Sequence, residues 1–207
     1  MKGLIIKDLI ALKNRAKIFF ILAAFYIVYS IFMKDTNILG AMIIMFCTMI
    51  PITTMSYDEY YKWDKYAVSL PVSRKTIVFS KYIFGILFNL AGVVIVAVVY
   101  IFTANITVAS AIGESLLTLL GLCMISILFL SITLPIMFKF GVEKGRLLMM
   151  AVFFTPTILI MLISKLNIAK PSEQALQKLV LISPVIILVI LLISIFVSIR
   201  IFERKEL

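Results

Sequence analysis

Six long uncharged stretches fill this chain, and most of its Lys and Arg residues lie in alternate gaps between them. The runs are Ile18–Met33, Thr36–Tyr57, Tyr82–Gly113, Ser115–Phe138, Leu147–Ser164 and Leu179–Ile199. A helix needs about 20 apolar residues to cross a hydrocarbon core roughly 30 Å thick. Five runs reach that length. The first is short, but Lys17 and Lys34 can snorkel from its ends. The reading is an all-α membrane protein of six transmembrane helices, with spans at about 18–33, 38–56, 82–103, 115–138, 147–164 and 179–200. A chain of 207 residues that is 63% hydrophobic leaves no room for a separate soluble domain beside six spans, so 1–207 is one membrane domain. Residues before the first run are mostly polar or amphipathic, and no small-residue cleavage site follows it, so that run is expected to stay as an anchor.

The gaps fix an orientation. Lys2, Lys7, Lys13, Arg15, Lys17, Lys62, Lys65, Arg74, Lys75, Lys81, Lys139, Lys144, Arg146, Arg200, Arg204 and Lys205 fall on one side. Only Lys34, Lys165, Lys170 and Lys178 fall on the other. By the positive-inside rule both termini are expected in the cytoplasm. The net charge of +10 then reflects topology and contact with anionic lipid, and a nucleic-acid partner is not expected.

Several chemistries are excluded by what the chain lacks. It has no histidine, which removes histidine-based triads, zinc-binding H-E-x-x-H sites and histidine proton relays. Cys47 and Cys123 sit inside apolar runs and read as small buried side chains, with no metal site or disulfide implied. No G-x-x-x-x-G-K-[ST] phosphate loop is present, so no cofactor is expected in this chain, and any ATP and Mg would be bound by a separate ATPase. An ion-coupled transporter would bury charge near the bilayer midplane, whereas every charge here reads as at or beyond a span end. An intramembrane enzyme would need a buried carboxylate pair, a Ser–His pair or a metal.

Residues 1–17 read as an interfacial helix. Ile5, Leu9, Leu12 and Ala16 make one stripe, with Lys7 and Asn14 opposite. In the third run Gly85, Asn89 and Gly92 share a face, which reads as a helix-packing or permease-dimer surface. Gly141 and Gly145 have dimer-motif spacing, but Glu143 and Lys144 place them in a charged loop, so that motif is set aside.

The gap between the second and third runs holds the only Trp. Ser56 and Glu59 have capping-box spacing, Asp58 and Lys62 pair at i, i+4, and Pro71 stops the helix. Ser73 then caps the helix that continues into the third run. A separately capped helix at about 57–70 is therefore predicted. It carries Tyr57, Asp58, Glu59, Tyr60, Tyr61, Lys62, Trp63, Asp64, Lys65 and Tyr66. Aromatic residues rimmed by charge suit either an interfacial anchor or a protein contact.

The segment Tyr61-Lys-Trp-Asp-Lys-Tyr-Ala-Val-Ser-Leu-Pro-Val-Ser-Arg74, with Ile77-Val-Phe-Ser-Lys81 after it, resembles the cytoplasmic loop of small bacterial ABC-2-type exporter permeases. The opening Met1-Lys-Gly-Leu-Ile-Ile-Lys-Asp-Leu9 resembles their start, so the likeness covers the whole chain. It extends to permeases that expel amphipathic cytolytic peptides such as phenol-soluble modulins. Bacteriocin-immunity and antibiotic exporters look similar too. The resemblance implies a coupling helix at Tyr57–Leu70, a separate ABC ATPase in two copies, a second or homologous permease, and a bacterial cell membrane. An amphipathic peptide is the expected cargo, hydrophobic antibiotics the alternative. An ion-coupled transporter or a non-transporting, peptide-sequestering membrane protein remain further alternatives.

Overall fold

The computed structural model describes residues 2–13, 17–18, 21, 24–25, 28, 36–104, 111–165 and 173–205. Among them every regular element is a helix: α1 (Lys2–Lys13), α2 (Thr36–Tyr60), α3 (Trp63–Ser69), α4 (Arg74–Ala104), α5 (Ala111–Lys165) and α6 (Glu173–Glu203). Four stretches of the described residues are long and apolar enough to cross a membrane: Gly40–Tyr60, Arg74–Val99, Leu117–Val152 and Ile182–Glu203. The predicted first span at 18–33 lies largely outside the described residues, as do Asn14–Ala16 of the predicted interfacial helix.

α5 is two arms in one. At Gly141 the backbone takes φ 77°, ψ 175°, a region essentially reserved for glycine. Eight residues of straight helix would separate Met137 from Gly145 by about 12 Å. Instead a Cβ on Gly145 would stand 3.6 Å from the Met137 Cα and 2.6 Å from its sulfur. The chain reverses here, and the absent side chain at Gly145 lets the arms meet. The two glycines set aside as a chance motif in a charged loop are thus the hairpin itself.

α4 packs through Gly85 and Gly92. A Cβ on Gly85 would lie 2.5 Å from Leu130 and 3.2 Å from the Pro51 ring. One on Gly92 would lie 2.8 Å from Cys47 Sγ. Asn89, on the same face, accepts a bond from Ser126 Oγ at 2.6 Å. This face therefore meets α2 and α5 of its own chain. Small residues allow close helix approach where lipid offers no hydrophobic drive between helices.

The main core gathers at one end of the bundle. Met55, Ala67, Val78, Tyr82, Leu134, Met137 and Phe202 are buried together, bringing α2 to α6 into one cluster. Tyr82 hydroxyl lies 2.6 Å from Ser194 Oγ and 2.8 Å from Ser198 Oγ, tying α4 to α6 with partners for the polar tip. This is the end at which Lys and Arg collect, and the core positions what lies there.

Candidate functional site

The predicted 57–70 helix takes a different form. Tyr57, Asp58, Glu59 and Tyr60 complete the last turn of α2, and Lys62 adopts a left-handed conformation (φ 52°, ψ 35°) that breaks the chain. The separate helix is Trp63–Ser69, seven residues long. Leu70 is extended ahead of Pro71, as a residue preceding proline prefers. Ser56 makes no capping box: its hydroxyl donates back to the Ile52 carbonyl at 2.9 Å, inside α2. A helix already continuous through Ser56 has no free N–H groups there to cap. The second cap does form, with Ser73 Oγ accepting from the Thr76 N–H at 3.2 Å.

The acidic residues of this turn are engaged at long range. Asp58 does not pair with Lys62; it contacts Lys7, and its other oxygen lies 2.6 Å from Lys81 Nζ. Lys81 also grips Asp8, 2.9 and 2.8 Å from its two oxygens, and Lys7 lies 3.1 Å from Asp8. The Lys81 and Asp8 side chains are 5% and 1% exposed. Two lysines and two aspartates thus form a neutral, interlocked cluster joining α1, α2 and α4. Buried charge is tolerable only when paired and hydrogen-bonded in this way.

The sequence reading put Lys81 among the cytoplasmic-side cations, on the helix entering the third run, and left Asp8 unremarked. The predicted stripe on α1 is correspondingly altered. Asp8 and Leu12 face inward while Leu9 is exposed with Ile6 and Ile10, because docking Asp8 on Lys81 turns the helix. Lys7, placed opposite the stripe, is also drawn in. The missed signal was Asp8 itself, the one acidic residue of α1, set beside Lys7 among apolar neighbours.

The cluster extends to α3. Lys7 Nζ sits 4.4 Å from the Trp63 ring centre, within cation–π range. Trp63 is half-buried against the main core and is not an exposed anchor. Tyr60, Tyr61 and Tyr66 are the exposed aromatics, at 78%, 73% and 57%. Lys62 and Lys65 are exposed beside them, and Tyr57 is half-buried.

The tail and the hairpin close on the same place. Asp64 pairs with Lys205 at 3.2 Å. Arg74 donates to the Glu203 carbonyl at 2.6 Å and the Lys205 carbonyl at 3.2 Å, covering the end of α6. Glu59 accepts the Val142 N–H, capping the arm that leaves Gly141. Arg146 donates to Ser56 at 2.9 Å. A cavity of about 30 Å³, room for about one water, lies among Asp58, Glu59, Asp64, Lys81, Gly141 and Lys205. Five helices and the hairpin turn are therefore fastened together around the segment that carries the exposed Tyr60, Tyr61 and Tyr66. α3 itself meets α1 through Trp63 and Lys7 and the α6 tail through Asp64 and Lys205. Gly85, Asn89 and Gly92 lie elsewhere, in the intrachain packing of α4.

A family model described as ABC-2 family transporter protein matches residues 3–203. No curated protein and no solved structure matches the chain.

Proposed function

The chain belongs to the ABC-2 transporter family, a membrane-spanning partner of ABC ATPases, and from that we propose that it is the permease of an ATP-driven exporter of amphipathic or hydrophobic peptides. It works in a bacterial cell membrane with both termini in the cytoplasm, as half of a permease pair served by two ATPase copies. The observation that carries this reading is the set of exposed rings Tyr60, Tyr61 and Tyr66 on the last turn of α2 and on α3, next in the chain to Asp58 of the Lys7–Asp8–Asp58–Lys81 cluster and to Trp63, which Lys7 covers. The last turn of α2 and α3 together form the ATPase contact. Nucleotide-driven movement of the ATPase pushes that contact, and the buried charges pass the push to three helices at once.

Buried ionisable groups are also what ion-coupled carriers use. Here each of the four charges already has opposite-charge partners, which favours a structural joint over an ion site. The span surfaces of Phe, Ile, Leu and Met suit cargo with one apolar face, entering from the inner leaflet or cytoplasm.

The test is reconstitution. The permease is purified with the ATPase that accompanies it, placed in liposomes, and ATP hydrolysis is followed while cargo is added. Lys-rich amphipathic helical peptides should raise hydrolysis. Stimulation by a sugar or free amino acid, with no response to such peptides or to hydrophobic drugs, would overturn the cargo assignment.

A further inference from the structure

A lateral groove of the bundle lies apart from the charged cluster. Its walls are Met45, Met49 and Ile52 on α2, with Met149, Met150 and Phe154 on the second arm of α5. It encloses about 370 Å³ and opens sideways, with Met45, Met150 and Phe154 exposed. Met45, Met49 and Ile52 share one face of α2, and Arg146, Met150 and Phe154 follow one another at i, i+4, i+8 on the α5 arm, with Met149 turned inward beside them. Thr53 is the polar exception in the walls, and its hydroxyl is already bonded to the Met49 carbonyl at 3.0 Å. Arg146 stands at the end nearest the Gly141 turn. It reaches Ser56 but forms no ion pair among the described residues, although Glu143 is exposed one turn away. From Arg146 to Phe154 the arm rises about 12 Å. Arg146 is also the last charge before the uncharged run at 147–164, which sets it at headgroup level.

We propose that this groove seats one anionic phospholipid of the inner leaflet, its phosphate on Arg146 and an acyl chain along the methionines. A guanidinium matches phosphate geometry with paired donors. Flexible thioether side chains fill the irregular space beside a hydrocarbon chain. Thr53, the one polar wall side chain, is already bonded, which suits an acyl chain, and an unpaired cation at the groove end suits an anionic headgroup better than a Lys-rich peptide. The inference rests on the membrane-spanning reading and, for the choice of leaflet, on the proposed orientation, and is independent of what cargo is exported.

Brominated-lipid quenching tests it. The full chain carrying Phe154→Trp in a Trp63→Phe background is reconstituted in vesicles of phosphatidylcholine with added brominated phosphatidylglycerol or brominated phosphatidylcholine. The groove should prefer the anionic lipid about fivefold, the contribution of one basic residue at an anionic membrane surface. Arg146→Gln should abolish that preference, and Arg146→Lys should keep part of it. Equal quenching by the two lipids, or a preference that survives Arg146→Gln, overturns the proposal. Absence of quenching by either overturns it in favour of a second permease copy covering the groove. Displacement of the brominated phosphatidylglycerol by a substoichiometric amphipathic peptide overturns it in favour of a peptide seat.

Discussion

Lys81 and Asp8 are 73 residues apart in sequence and meet in a two-oxygen contact at 2.8 and 2.9 Å, both side chains almost wholly out of solvent. Their pairing docks α1 on the bundle and sets which face of that helix turns inward.

Removing either partner leaves the interlocked cluster with one uncompensated charge, since Asp58 and Lys7 cannot balance the remaining member alone. Asp8→Asn or Lys81→Met should each lower the stability of the detergent-purified protein by about 3–5 kcal/mol, the usual cost of breaking a buried pair. The double change to apolar residues should lose much less than the two single losses combined, because it leaves the neutral Lys7–Asp58 pair. Thermal unfolding across this double-mutant cycle is the measurement, and strictly additive losses would show that the two residues do not depend on each other.

Gly141→Ala meets two obstacles. Its φ of 77° and ψ of 175° is a region side chains rarely adopt, and its Cβ would lie 2.7 Å from Glu59 Oε1. The strain alone should cost about 1–3 kcal/mol. Adding Glu59→Ala relieves the clash but leaves the strain and removes the Val142 cap. The double variant should therefore remain less stable than wild type in a thermal scan. Full recovery would assign the whole cost to the clash.

Tyr60 and Trp63 should separate partner binding from folding. Tyr60→Ala with Tyr61→Ala removes exposed rings and should leave thermal stability nearly unchanged. ATPase affinity should fall at least about tenfold, the equivalent of losing a contact worth 1.4 kcal/mol or more. Trp63→Ala should lower stability as well, since that ring packs against the core and under Lys7. Complex assembly that is unchanged in the tyrosine double variant would reduce the cluster to a membrane anchor.

Orientation is open to direct labelling. In a background with Cys47→Ala and Cys123→Ala, single cysteines replacing Lys2 or Lys205 should be shielded from an impermeant thiol reagent in intact cells. One replacing Pro171 should react. Reaction at both termini from outside would reverse the topology expected from the Lys and Arg distribution.

The apolar runs and their charged gaps were enough to establish a helical membrane protein and to find the segment around Trp63, because both are local properties of composition along the chain. The Ser73 cap was legible for the same reason: its partner is the N–H of Thr76. Ser56, Asp58 and Glu59 also carried a local pattern, yet each found other partners. Ser56 turned back to Ile52 and received Arg146; Asp58 went to Lys7 and Lys81, 51 and 23 residues away; Glu59 went to Val142, 83 residues away. Spacing in sequence states which contacts a single helix could make. Only closure of the bundle brought stronger partners within reach, and inside a low-dielectric core a paired opposite charge or an uncapped N–H outweighs the few tenths of a kcal/mol an exposed i, i+4 pair contributes.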